Sequence, residues 1–205
     1  MKTIRFIWIM ILLCIGNVLH AQSYLPMKNS FSLGGGVMWG LSKGEGDFQD
    51  VAGSPTSAMF GLEYRHYLKG KLGLGVVYKH LTGSKNSNTL CCHYVGPALT
   101  VRGLWADDQQ GFWGSMGLGY LHYKEDLFNQ APYTDGHFAM SASLGYEFAM
   151  STGVGLQIRA DLVLADFQPS GGSFHPVGGN YYYYDENWDS GLTYFSIGLA
   201  LVFGK

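Results

Sequence analysis

Charge is scarce in this chain. Only 14% of its 205 residues are Asp, Glu, Lys or Arg, against about 25% in ordinary soluble domains. The formal net charge is −2 and no basic stripe is present, which excludes the electrostatic footprint of a nucleic-acid binder. Long apolar runs are missing too. Beyond the first twenty residues nothing is long and apolar enough for a spanning helix, although mean hydropathy is close to zero. Cysteine is limited to three residues. Cys91 and Cys92 are adjacent, with neither a C-x-x-C nor a zinc spacing. On a strand they point to opposite faces, as a strained vicinal disulfide or as two inert thiols. No cofactor and no metal is expected, and the two cysteines receive no role.

The first residues form a targeting segment. Lys2 and Arg5 precede an apolar run over residues 6–15, and Leu19-His20-Ala21 offers a cleavage site before Gln22. Leu13 stands before Cys14 where a lipoprotein site needs a small residue. The expected organisation is a cleaved signal peptide over residues 1–21 and one domain over residues 22–205.

What the chain has in quantity is glycine, with 30 residues, and aromatic side chains, at 15%. Alternation organises them. From residue 138, Phe138, Met140, Ala142, Leu144, Tyr146 and Phe148 interleave with Ala139, Ser141, Ser143, Gly145 and Glu147. After Ser151-Thr152-Gly153 the pattern resumes, with Val154, Leu156, Ile158, Ala160, Leu162 and Leu164 against Gly155, Gln157, Arg159, Asp161 and Val163. A period of two means strands. Runs over 138–148 and 154–164 have the length of a tilted strand crossing a bilayer, about 9–11 residues. A greasy face opposite a small or ionisable one is the dyad pattern of a membrane barrel.

Six further runs repeat it, led outward by Phe31, Phe60, Leu74, Val95, Met116 and Phe195. The predicted connections cover residues 42–54, 69–71, 83–88, 106–111, 125–136, 151–153 and 165–191. Pro97 cannot donate to a ladder, so weak pairing is expected beside it. The fold class is all-β: an eight-stranded antiparallel up-and-down transmembrane β-barrel with long extracellular loops and short periplasmic turns. Lipid-facing aromatics fall in two girdles, Trp39, Tyr78, Tyr120 and Phe195 in one and Tyr64, Phe112, Tyr146, Phe148 and Phe203 in the other. A soluble lipocalin-type barrel would be apolar inside and polar outside, the reverse arrangement.

With its leader, its eight alternating strands and a last strand ending at Phe203, the chain resembles the small outer-membrane barrels of the OmpX and OmpA-barrel kind, within the porin families. The resemblance implies a bacterial cell outer membrane location, contact with outer-membrane lipid, and recognition of the last strand by the barrel-assembly machinery. Gly204 and Lys205 after Phe203 depart from the family's terminal aromatic. No peptidoglycan-binding domain is expected after the barrel.

Seven ionisable residues are predicted to face the lumen as an ion-pair network: Glu63, Arg65, Lys79, Arg102, Glu147, Arg159 and Asp161. Eight strands leave an interior that side chains can just fill, and unpaired charges there would be costly. The Gly73/Gly75 and Gly117/Gly119 pairs lack the third glycine and the helix of a nucleotide-binding loop. His137, Ser141 and Glu147 share a face but span roughly 30 Å at about 3.3 Å per residue, too far for one triad, so no catalytic residue is assigned and the protein is not expected to be an enzyme. Over residues 165–191, Asp185-x-Asn187-x-Asp189 fails as a calcium loop, because Ser190 replaces the glycine and Ser196 the bidentate Glu. Tyr181, Tyr182, Tyr183, Tyr184 and Trp188 offer rigid contact area for an extracellular protein or glycan, or rings that pack together or lie at lipid headgroups. The expected role is structural or surface contact through the loops. A narrow small-solute channel is the alternative, and a membrane-embedded lipid-modifying hydrolase the third reading.

Overall fold

A computed structural model describes residues 28–40, 57–68, 71–85, 87–105, 110–126, 132–167, 175–177, 180–182 and 190–204. The expected signal peptide, residues 1–21, lies outside them. Ten strands follow in order: β1 (Asn29–Gly40), β2 (Ala58–Leu68), β3 (Leu72–Lys85), β4 (Asn88–Trp105), β5 (Gln110–Asp126), β6 (Tyr133–Ser151), β7 (Val154–Phe167), β8 (His175–Val177), β9 (Asn180–Tyr182) and β10 (Ser190–Gly204). Eight close into a barrel in the order β1-β10-β7-β6-β5-β4-β3-β2, and β8 and β9 form a separate hairpin. All barrel ladders are antiparallel. Ser30 pairs with Gly204, so both ends of the barrel chain meet at one rim, here the terminal end. The opposite rim is the loop end.

The strands reach further toward the loop end than the alternation suggested. Residues 83–88 are expected as a polar loop, yet β3 runs to Lys85 and β4 starts at Asn88. Ser87 takes a φ of 70° there, a left-handed turn conformation uncommon outside glycine. Ladder pairs Gly83↔Leu90 and Ser84↔Thr89 extend the hairpin into this polar sequence. Similarly, β5 and β6 consume both ends of the expected 125–136 loop, with Lys124↔Thr134 and Glu125↔Tyr133 paired. Gly111, assigned to a connection, pairs with Leu104 inside the β4–β5 ladder. In the expected 165–191 loop, β7 continues to Phe167, and the β8–β9 hairpin occupies part of the remainder. In each case backbone pairing with a neighbour already in register overrides a polar sequence.

Pro97 behaves as its chemistry requires. The β4–β5 ladder passes from Val95↔Tyr120 to Ala98↔Gly117 without a partner for Gly96 or Pro97, while the register is kept. At the β6–β7 turn, Gly153 has a φ of 80°, and its carbonyl accepts the Gly204 amide at 2.9 Å. That bond ties the end of β10 to the terminal rim.

The outer surface is a belt of exposed apolar side chains, among them Phe138 and Leu144 at 69% exposure, Met116 at 62% and Leu199 at 54%. In water such a surface would be an aggregation liability. Around hydrocarbon it is the required face. Trp39 stacks with Phe195 at a centroid distance of 6.1 Å toward the loop end. Phe112, Tyr146 and Phe148 meet edge to face at 4.8 and 4.5 Å toward the terminal end. Among the described residues no helix is long and apolar enough to cross a membrane; the crossing is made by strands.

Candidate functional site

The barrel interior falls into layers. Glu63, Arg65, Lys79, Arg102, Glu147, Arg159 and Asp161 all lie inside it and are at most 4% exposed. Five of them join in one chain of contacts. Arg65 donates to Glu63, and Glu63 also accepts from Arg159. The Arg159 Nε donates to Asp161 Oδ2 at 2.7 Å. Asp161 Oδ1 pairs with Lys79 Nζ at 3.0 Å and accepts from the Ser143 hydroxyl at 2.6 Å. Lys79 Nζ also donates to Ser143 at 3.1 Å. Glu147 and Arg102 stand nearer the terminal end. The Gln157 amide donates to Glu147 Oε2 at 2.6 Å, and the Arg102 guanidinium lies 3.9 Å from the Tyr67 ring centroid. Trp113 serves both other arginines, with Arg65 at 4.0 Å and Arg159 at 5.4 Å from its ring, distances at which the ring face attracts a cation.

The inward glycines make this network fit. Arg159 is flanked across both ladders by Gly145 and Gly198. Arg65 lies opposite Gly75, Lys79 opposite Gly61, and Glu147 opposite Gly111. A Cβ on Gly145 would fall 2.7 Å from both the Ile158 carbonyl and the Trp113 indole nitrogen. Each large polar side chain therefore fills space that its neighbours leave empty.

Above the charges, toward the loop end, the interior turns apolar, which the sequence reading did not anticipate. Met38, Met59, Leu81, Leu90 and Leu121 belong to one buried cluster with Tyr94, Tyr123 and Tyr194. The signal was present, since each occupies an inward position of the same alternation, but ionisable residues drew attention to the other half.

Cys91 and Cys92 form no disulfide and point to opposite faces. Cys92 points into the lumen, 3.2 Å from the Tyr194 hydroxyl. Cys91 leaves the outer face beside His80 and His93, a grouping whose donor atoms lie within 4.8 Å of one another. Finding it from sequence requires the strand register, because His80 is on β3 and the other two residues are on β4.

His137, Ser141 and Glu147 do not converge. Ser141 donates to the Tyr94 hydroxyl at 3.1 Å, while Glu147 is engaged with Gln157 toward the terminal end. Of the aromatic loop residues, Tyr181 and Tyr182 belong to β9, and Tyr183, Tyr184 and Trp188 lie outside the described residues.

A closed eight-stranded barrel with an apolar exterior and a polar, charged middle is a membrane-spanning β-barrel of the outer-membrane type. Solved structures of that type are similar to it throughout the barrel. Neisserial surface protein A is 9% identical with a TM-score of 0.61, over 87% of this chain and 97% of that one. Ail, the attachment invasion locus protein of Yersinia pestis, is 12% identical with a TM-score of 0.52, over 87% and 100%. The outer membrane protein OprG from Pseudomonas aeruginosa is 11% identical with a TM-score of 0.51, over 87% and 98%. At these identities the likeness is one of fold. No protein-family model matches the sequence, and no curated protein matches it.

Proposed function

We propose that the protein is a closed, non-enzymatic barrel of the outer membrane, anchored by its belt and acting through its loop end as a structural or surface-contact protein. The filled interior carries this reading. An ion-pair layer linking Glu63 to Lys79 is capped by an apolar layer around Met38, Leu81 and Leu121, so little room is left for a solute. Conductance of the refolded residues 22–205 in a planar bilayer tests it. A heat-modifiable gel band first establishes folding, and silence of the folded barrel is the expected result. Stable current steps that change when Arg102 or Glu147 is neutralised would replace this reading with the channel.

The contact surface belongs to the loop end, with Tyr181, Tyr182, Tyr183, Tyr184 and Trp188 as the recognition residues for an extracellular protein or glycan. Two rotatable side-chain bonds per ring make such contacts cheap in entropy. A barrel lacking residues 181–188 is expected to fold normally and to lose at least tenfold in retention of expressing cells on immobilised glycans and matrix proteins. Unchanged retention would remove the recognition role from this segment. The barrel-assembly machinery is the partner proposed for biogenesis, reading β10 through Phe203.

A further inference from the structure

A cluster unrelated to the lumen stands on the outer face near the loop end. There β3, β4 and β5 lie side by side, with His80 opposite His93 and His93 opposite His122. Cys91, two residues before His93, shares its face because strand side chains alternate. The His80 Nδ1 lies 3.3 Å from the His93 Nδ1 and 3.9 Å from the Cys91 Sγ. The Cys91 Sγ lies 3.3 Å from the His93 Nε2. The three side chains are half-buried, whereas His122 is exposed, its ring centroid 6.4 Å from that of His93.

The two sulfur–nitrogen separations are those of ligands around one ion, and one donor atom from each of the three residues lies within 4.8 Å of the others. With zinc–nitrogen bonds of about 2.0–2.1 Å and zinc–sulfur bonds of about 2.3 Å, tetrahedral angles put nitrogen and sulfur about 3.6 Å apart, midway between the two separations seen here. Thiolate and imidazole together favour a borderline-soft transition ion over calcium or magnesium, which take oxygen ligands. His93 also has an orienting partner. The Tyr78 hydroxyl lies 2.8 Å from its Nδ1, so a proton on Nδ1 donated to Tyr78 leaves the Nε2 lone pair facing Cys91. A second hydrogen bond of this kind fixes the tautomer of metal-ligating histidines.

We propose that His80 Nδ1, Cys91 Sγ and His93 Nε2 form a binding site for a divalent transition-metal ion of the zinc class, with its fourth position open toward His122 and solvent. The Cys91 thiol releases its proton to solvent as the ion binds. The site lies two ladder pairs beyond the row of Tyr78, Val95 and Tyr120, at the next position of the same face toward the loop end. A bound ion cross-links β3 to β4 close to the tip of their hairpin.

The test is titration of the refolded, reduced residues 22–205 in detergent with Co²⁺, after the gel shift establishes folding. The expected result is one ion per chain, a thiolate-to-cobalt charge-transfer band in the near ultraviolet, intense four-coordinate d–d bands, and displacement of both by Zn²⁺. C91S should abolish the charge-transfer band. H80A and H93A should each weaken binding more than about 100-fold, and Y78F by about 10–100-fold, the usual effect of losing an orienting partner. C92S should bind like the parent, because Cys92 faces the lumen. No charge-transfer band in the folded parent, or a band retained in C91S, would overturn the proposal. A measurement on the unaltered sequence stands apart from variant folding: Zn²⁺ should slow maleimide alkylation of Cys91 at least tenfold, and an unchanged rate would equally overturn it.

Discussion

Replacing Asp161 with leucine is expected to lower the unfolding free energy of the barrel by about 3–5 kcal/mol, the cost of breaking a buried ion pair from one side. Asp161 is the most connected anion of the interior, accepting from Arg159, Lys79 and Ser143. Its loss leaves Lys79, which is 0% exposed, without its carboxylate, and leaves Arg159 with Glu63 alone among the anions it contacts. The apolar layer of Met38, Leu81 and Leu121 on the loop side offers Lys79 no replacement anion. The double variant K79M/D161L should regain much of that loss, since apolar side chains of similar volume replace a buried pair at little cost. With K79M as the second single variant, the cycle reads the coupling between the two residues. Urea unfolding in detergent micelles, followed by tryptophan fluorescence, measures both. A single variant within about 1 kcal/mol of the parent would mean that these charges do not hold the interior together.

The second large effect is on the outside. Leu144→Arg should destabilise the barrel in lipid by about 2–4 kcal/mol, whereas Phe203→Arg should cost only about 0–1 kcal/mol. Leu144 sits midway along β6, between Gly114 and Ala160, and is 69% exposed. Phe203 is equally lipid-facing but pairs with Phe31 and Val154 at the terminal rim, where a guanidinium reaches headgroups. An exposed leucine replaced by arginine in water would cost almost nothing, so the depth dependence itself reports the hydrocarbon. Reversible unfolding from phospholipid bilayers is the measurement. Equal, small costs at both positions would contradict the orientation of this belt.

How legible each part was depends on which physical constraint it obeys. The outward rows from Phe31 to Phe203 are read directly, because lipid enforces apolarity at every second residue and the signal repeats eight times. The inward charges are read for the same reason, as ionisable residues on the face that alternates with the lipid-facing one. Strand ends are harder. Beyond the belt, residues such as Ser84, Thr89, Lys124 and Thr134 have no lipid to satisfy, so their alternation fades while their backbones still pair. The apolar inner layer was obscured because Leu81 and Leu121 carry the same residue type inside that lipid demands outside. The grouping of His80, Cys91 and His93 was not legible at all, since three residues on two strands become neighbours only once the register is fixed. Composition and spacing carry no register.

The seam between β1 and β10 has a kinetic consequence. Among barrel neighbours, only these two strands lie at opposite ends of the chain; the others follow one another, with the small β8–β9 hairpin inserted before β10. Hairpins can zip locally, but the ring exists only when this last pair meets, and such distant pairings slow folding. On the inward face the middle of this seam is nearly bare, with Gly36 against Gly198 and Gly34 against Ala200. A Cβ on Gly36 would strike the Ile197 carbonyl, and one on Gly198 the Gly35 carbonyl. On the inner side closure is thus a latch of backbone on backbone, while on the lipid side Leu33 meets Leu201 and Trp39 meets Phe195 as the two ends of the chain find one another.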